Sequence, residues 1–116
     1  MSLLRPAIYY YTSPTRSNPI KQFIDSLAPQ QQTKILRIFQ YIKEYGLTAH
    51  LSQIKKLTGT PLWEIRILGK HNLRILYVVP KQNLVLVLHG FIKKTAKTPN
   101  KELKTALNRY REWLDR

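Results

Sequence analysis

Residues 62–99 read LWEIRILGKHNLRILYVVPKQNLVLVLHGFIKKTAKTP, and this stretch decides the fold of the chain. It contains three apolar runs rich in β-branched residues, Trp63–Leu68, Leu73–Val79 and Asn83–Phe91. The polar connections between them, Gly69–Asn72 and Pro80–Gln82, carry residues that favour turns. We therefore predict two successive hairpins that form a three-stranded antiparallel meander.

The predicted meander is strongly cationic. A single carboxylate, Glu64, stands among seven cations in or beside the strands: Arg66, Lys70, Arg74, Lys81, Lys93, Lys94 and Lys97. A sheet with one face on a core and the other lined with Arg and Lys is suited to binding phosphate. The meander is thus the first candidate for a functional surface.

The pairing register decides which cations share a face, because successive strand side chains point to opposite faces. If Val79 pairs with Leu84, Arg74 lies directly opposite His89. The position of Arg66 depends on the first turn. A four-residue loop at Gly69–Asn72 puts Arg66 and Arg74 on opposite faces, whereas a bulge at Gly69 restores a common face. Both registers are compatible with the sequence.

The rest of the chain predicts one strand and three helices around the meander. An apolar, aromatic run indicates a strand, and apolar residues at helical spacing indicate the helices. The predicted strand is Ala7–Thr12. The first helix covers Ile20–Leu27 after an Asn18-Pro19 cap, and the second runs from about Gln30 to Tyr45 and ends at Gly46. The final helix begins at Pro99, with Thr98 as its cap. His50–Leu57 fits either a helical turn or a loop. The order is β-α-α-β-β-β-α, an α+β fold in one domain, residues 1–116.

Charge and composition narrow the function. Twenty Lys and Arg against six Asp and Glu give a net charge of +14, which favours a polyanionic partner and salt-sensitive binding. Cysteine is absent, so disulfides and thiol catalysis are excluded and a cytoplasmic location is expected. No apolar run approaches the roughly 20 residues of a membrane span, so we expect no membrane contact.

The motifs for most enzymatic chemistries are missing. The three histidines, His50, His71 and His89, lack metal-ligand spacing, so we expect neither a catalytic metal nor a cofactor. There is no glycine-rich phosphate loop, no GxSxG elbow and no suitable carboxylate pair. RNA cleavage remains, because the substrate supplies its own nucleophile, the 2′-OH. The protein then has to align that oxygen, stabilise the transition-state charge and assist proton transfer.

Three short motifs resemble the RelE/HigB-type toxins, in particular the phage-derived branch of that superfamily. They are WEIR at Trp63–Arg66, RILY at Arg74–Tyr77 and FIKKTAKTP at Phe91–Pro99. The resemblance implies a small α+β fold and an endoribonuclease that cuts mRNA on the ribosome, leaving a 2′,3′-cyclic phosphate. The partners it implies are mRNA, the ribosome and a cognate acidic antitoxin with a DNA-binding motif.

The resemblance also implies roles for single residues. Arg74 and the pair Lys93-Lys94 match the phosphate-binding cations, and Arg66 matches a cation near the scissile group. We expect Arg74 and Lys94 to lie outside the core. Further RNA contacts are expected from a set of basic residues: Lys55, Lys56, Lys70, His71 and Lys97.

Proton transfer has two candidates within the predicted sheet, Glu64 and His89, and a lysine with a lowered pKa is an alternative. Each candidate also has a structural interpretation. Glu64 could form an ion pair with neighbouring cations, and His89 could be satisfied by a backbone partner. The tyrosine that follows the basic cluster in several members of the family is replaced by Thr98-Pro99-Asn100. His71, Tyr77 or Trp63 could take over base stacking.

Two other functional classes stay open at this point. A non-catalytic RNA- or DNA-binding module would keep the same fold and the same basic face. A phage structural protein is a third, less specific interpretation.

Overall fold

The computed structural model of the chain describes residues 5–46, 52–69, 72–94 and 97–116. Within these residues the α+β class is confirmed. The strands and helices follow in the order β1 (Ala7–Tyr10), α1 (Pro19–Asp25), α2 (Pro29–Tyr45), β2 (Ile54–Lys56), β3 (Trp63–Ile67), β4 (Leu73–Lys81), β5 (Leu84–Ile92) and α3 (Asn100–Leu114).

All strands of the described residues join one mixed sheet with the order β1-β5-β4-β3-β2. The predicted meander, β3-β4-β5, forms its antiparallel centre, and β1 pairs with β5 in parallel. Strand β2 lies within His50–Leu57, the stretch whose sequence fits either a helical turn or a loop. It pairs with the edge of β3 through three residues, so the fold has one strand more than predicted.

The first hairpin brings Arg66 and Arg74 directly opposite each other. Ile67 pairs with Leu73, so the loop spans residues 68–72 rather than Gly69–Asn72. This longer loop puts both arginines on one face without a bulge in β3.

The second hairpin does not pair Val79 with Leu84. Strand β4 continues through Pro80, so Leu84 pairs with Lys81 instead of Val79. Asn83 has a φ of 61°, in the left-handed region that Asn adopts in turns more readily than most residues. Arg74 is consequently opposite Phe91, and the expected direct pairing of Arg74 with His89 is wrong. The two residues still share one face of the sheet.

Helices cover both faces of the sheet. One face packs on α1 and α2 through a cluster that includes Ile24, Phe39 and Ile75. The opposite face packs on α3, where Ala106 is completely buried in a second cluster with Leu88. The polar candidates on β3, β4 and β5 lie on this α3-covered face. No helix of the described ranges is long and apolar enough to cross a membrane.

The start of α3 differs from the predicted cap. Pro99 is the N-cap residue and makes no side-chain capping bond, so the prediction of Thr98 as the cap is wrong. The Thr98 hydroxyl instead donates to the carboxylate of Glu64 on β3. Glu102 lies in the first turn of α3, as expected from the helix dipole.

Candidate functional site

A buried carboxylate lies between two guanidinium groups on the α3-covered face. Glu64 of β3 is only 2% exposed. Its Oε1 lies 3.6 Å from Arg74 Nε and 3.7 Å from Arg66 Nε, and its Oε2 accepts a 2.8 Å hydrogen bond from Thr98 Oγ1. The two guanidinium contacts exceed hydrogen-bond length and are therefore charge contacts. The carboxylate holds both arginines and connects β3 to the segment that leads into α3.

Arg74 is buried, contrary to the expectation that it lies outside the core. Its side chain is 7% exposed and its Nη1 donates to the backbone oxygen of Leu73 at 2.9 Å. Burial lowers the pKa of the Arg74 guanidinium from its usual value, and the charge of Glu64 opposes this shift. The reason for the burial is that β4 is a central strand and α3 covers this face. Glu64 supplies the counter-charge that the buried guanidinium needs.

Arg66 reaches solvent, with 43% of its side chain exposed, although its Nε is buried without a hydrogen-bond partner among the described residues. It lines an open cleft of about 360 Å³ beside α3, which we call the α3 cleft. The cleft is formed by Lys55, Leu57, Thr58, Thr60, Glu64, Arg66, Lys93, Lys97, Thr98 and Leu103. Four of these side chains are cations, and the one carboxylate among them is buried. The α3 cleft is therefore a strongly cationic surface.

His89 belongs to a separate set of contacts that fastens α3 to the sheet. Its Nε2 lies 3.2 Å from Glu102 Oε1 and its Nδ1 lies 3.2 Å from Arg109 Nη1. A guanidinium can only donate, so Nδ1 accepts and Nε2 carries the proton that is donated to Glu102. Burial lowers the pKa of His89, and the hydrogen bond to Glu102 opposes the shift. His89 is thus held as a neutral ring with both nitrogens engaged.

The structure places the other predicted residues as follows. Lys94 and Lys56 are exposed but do not line the α3 cleft, and Lys56 lies 5.4 Å over the ring of Trp63. Lys70 and His71 lie outside the described residues. Tyr77 is buried, which raises its pKa to about 12, so its ring is not available for stacking on a base. In the described part of the chain, no three His, Asp or Glu side chains are grouped to hold a metal ion.

Three residues with clear contacts were not predicted from the sequence: Thr98, Glu102 and Arg109. Glu102 and Arg109 are two helical turns apart and flank Ala106, within the apolar stripe of α3. Polar residues inside such a stripe indicate partners on the covered face, so this spacing is a signal that could have found them. Thr98 gave no comparable signal, because Thr before Pro is also typical of a helix start.

The amino-acid sequence of the chain matches a known protein family. A model of the family described as "Phage derived protein Gp49-like (DUF891)" matches residues 22–111. The match extends from α1 to the last turns of α3 and therefore contains the whole α3 cleft. No curated protein matches the chain.

Proposed function

The chain belongs to the Gp49-like family of phage-derived proteins, a family related to the RelE/HigB-type toxins, and we propose that it is a toxin that cleaves mRNA on the ribosome as a metal-independent endoribonuclease. The observation that carries this proposal is the α3 cleft, where the guanidinium of Arg66 is held by a buried carboxylate and is flanked by lysines.

The charges in the cleft suit a phosphodiester. Lys55, Lys93 and Lys97 supply positive charge around Arg66, and the backbone N–H of Lys93 is bonded to Asn72 O at 2.6 Å, which holds the end of β5 against the start of β4. Cleavage of RNA by its own 2′-OH adds negative charge to the phosphate in the transition state. A guanidinium that is already held in place stabilises that charge without reorganisation.

The reaction needs no nucleophile from the protein. The 2′ oxygen attacks the adjacent phosphorus as it loses its proton, and the bond to the 5′ oxygen breaks as that oxygen gains one. The products are a 2′,3′-cyclic phosphate and a 5′-OH. Both ring nitrogens of His89 are hydrogen-bonded. Glu64 is buried, with Oε2 bonded to Thr98 and Oε1 in charge contact with two guanidinium groups, so we assign proton transfer to a lysine of the α3 cleft. Glu64 and Arg74 then act as positioning residues for Arg66.

A non-catalytic RNA-binding module is the second candidate. The contacts of Glu64 and His89 favour it, because both side chains already pair with groups of the protein. The two candidates share the same cleft and differ in whether bound RNA is cut.

Cleavage of a defined mRNA in a reconstituted translation reaction tests the proposal. We expect the wild-type protein to cut the mRNA and Arg66→Gln to cut it about 10² to 10³ times more slowly, as for the loss of one transition-state donor. Lys104→Gln is the matched control, because Lys104 is an exposed cation of α3 outside the cleft. It should stay within about twofold of wild type. If the wild type binds ribosomes or RNA and leaves the mRNA intact, the binding module is the correct function.

A further inference from the structure

A second cationic cleft lies on the other side of β3, between α2 and the β2–β3 edge of the sheet. We call it the α2 cleft, and its volume is about 400 Å³. It is lined by Lys34, Arg37, Ile38, Ser52, Gln53, Arg66, Ile67 and Leu68. We infer that the α2 cleft is a second RNA subsite, which binds phosphodiester backbone away from the cleaved bond. The inference rests on the proposed function, since it takes RNA as the ligand.

The cations of the α2 cleft are placed to act together. Lys34 and Arg37 are exposed and three residues apart on α2, so they are neighbours on one face of the helix. Arg37 has no ion pair or hydrogen bond with any described residue. Lys34 Nζ donates one hydrogen bond, of 3.3 Å, to Leu68 O, which leaves two further donors on the ammonium group. The described lining includes no carboxylate, so the attraction for an anion is not offset locally.

The apolar part of the lining fits a nucleotide better than a free anion. Ile67 is buried, while Leu68 is 70% exposed and lies beside the cationic residues. Single-stranded RNA presents ribose and base surfaces next to each phosphate, and unpaired bases also stack on Arg guanidinium planes. A cleft that combines two exposed cationic groups with an exposed leucine provides surfaces for both parts of a nucleotide.

Arg66 joins the α2 cleft to the α3 cleft, because it lines both. The N–H of Arg66 donates to Gln53 O at 2.7 Å, which fixes this point of β3 against the segment before β2. Because α2 and α3 cover opposite faces of the sheet, an RNA strand with a phosphate at Arg66 passes around the β2–β3 edge to reach Lys34 and Arg37 in the α2 cleft. The same phosphodiester chemistry is available from mRNA and from ribosomal RNA.

Binding measurements with a double variant test the inference. Lys34→Gln/Arg37→Gln removes two cations of the α2 cleft, and Lys43→Gln/Lys104→Gln removes two exposed cations that line neither cleft. The probes are a labelled, unstructured single-stranded RNA and purified ribosomes. For the RNA, we expect the slope of log affinity against log salt to fall by about 1.4, since each phosphate contact contributes about 0.7.

We also expect the Lys34→Gln/Arg37→Gln variant to bind about tenfold more weakly at fixed salt than the control variant. The cleavage rate at saturating protein should remain that of the control, because neither residue lies in the α3 cleft. Loss of affinity for the RNA assigns the subsite to mRNA. Loss of affinity for ribosomes alone assigns it to ribosomal RNA, and both results support the inference.

Two results would overturn the inference that the α2 cleft binds RNA, and only one of them also overturns the proposed function. If the wild type binds and cleaves RNA and the two double variants bind both probes equally, the α2 cleft is not an RNA subsite, while the proposed function stands. If the wild type binds neither probe, the proposed function is wrong and the inference is wrong with it.

Discussion

Glu64 is 2% exposed, and its carboxylate contacts two guanidinium nitrogens at 3.6 Å and 3.7 Å as well as the hydroxyl of Thr98. A buried charge is tolerated only when it is paired. At the residue scale, Glu64 and Arg74 therefore depend on each other, and Arg66 is the member of the group that reaches solvent. The position of Arg66 in the α3 cleft thus follows from a buried ion pair behind it.

Replacing Glu64 by Gln tests this dependence. Gln keeps the shape and can accept the Thr98 hydrogen bond, but it leaves Arg74 charged and buried without a counter-charge. We expect the free energy of unfolding, measured in urea, to fall by about 2 to 4 kcal/mol. Arg66→Gln serves as the control and should cost less than about 1 kcal/mol, because its side chain is 43% exposed. Equal losses in the two variants would show that Glu64 does not support Arg74.

His89 makes a pH-dependent contribution to stability. Burial lowers its folded-state pKa below the ordinary histidine value of 6.5, so the unfolded chain takes up this proton first as the pH falls. The stabilisation is therefore present above pH 6.5 and is lost as the pH falls through the folded-state pKa. Glu102 and Arg109 are the charged groups that face the ring.

We expect wild-type stability to fall between pH 6.5 and the onset of carboxylate titration near pH 4.5, and this fall should be smaller in His89→Gln. Urea unfolding of both proteins across this range measures the difference. His50 and His71 are unchanged in the variant, so their titration cancels in the comparison. Parallel stability profiles for the two proteins would contradict the assignment.

At the scale of elements, α3 is fastened to the sheet at several points. Arg109 Nη1 donates to Leu88 O at 2.8 Å, and Tyr11 OH donates to Glu112 Oε1 at 2.8 Å, so the helix contacts both β5 and the end of β1. On the opposite face, α1 approaches β5 closely at Gly90. A Cβ at that position would lie 2.6 Å from Phe23 Cε2, which is closer than real side chains permit.

Gly90→Ala should therefore destabilise the fold by about 1 to 3 kcal/mol, the usual cost of overpacking. The double variant Gly90→Ala/Phe23→Leu removes the ring that the methyl group meets. We expect it to be more stable than the sum of the two single changes predicts. Urea unfolding of the four proteins in the cycle gives this coupling. Additive effects would mean that Phe23 is not the group that requires glycine here.

The elements with a strong apolar pattern could be predicted from the sequence, and those without one could not. In β3–β5 and in α2 and α3, the buried positions are occupied by apolar residues at strand or helix spacing, so the sequence pattern itself indicates which positions are buried. Strand β2 has only three residues and is extended because it pairs with β3, so its own sequence contains no pattern that predicts a strand. The burial of Arg74 depends on the position of α3, and the Thr98–Glu64 bond joins residues 34 apart. These features depend on tertiary contacts that a single sequence does not display.

At the scale of the whole molecule, a net charge of +14 attracts anionic partners from a distance. We propose that a cognate acidic antitoxin with a DNA-binding motif silences the protein by covering the α3 cleft. Its association rate should fall as salt rises, because opposite charges steer the encounter. Stopped-flow mixing at several ionic strengths measures this rate. An association rate that does not change with ionic strength, or a structure of the complex in which the α3 cleft is uncovered, would contradict the proposal.

The chemistry of cleavage itself is tested most directly with an mRNA that lacks one 2′-OH. The cut is first mapped in a reconstituted translation reaction, and that nucleotide is then replaced by its 2′-deoxy form. This comparison holds the magnesium that ribosomes require constant. We expect the all-ribose mRNA to be cut to a 2′,3′-cyclic phosphate and a 5′-OH, and the deoxy mRNA to stay intact at the mapped bond. Cleavage at the deoxy position, or no cleavage of either mRNA by ribosome-bound protein, would contradict the account.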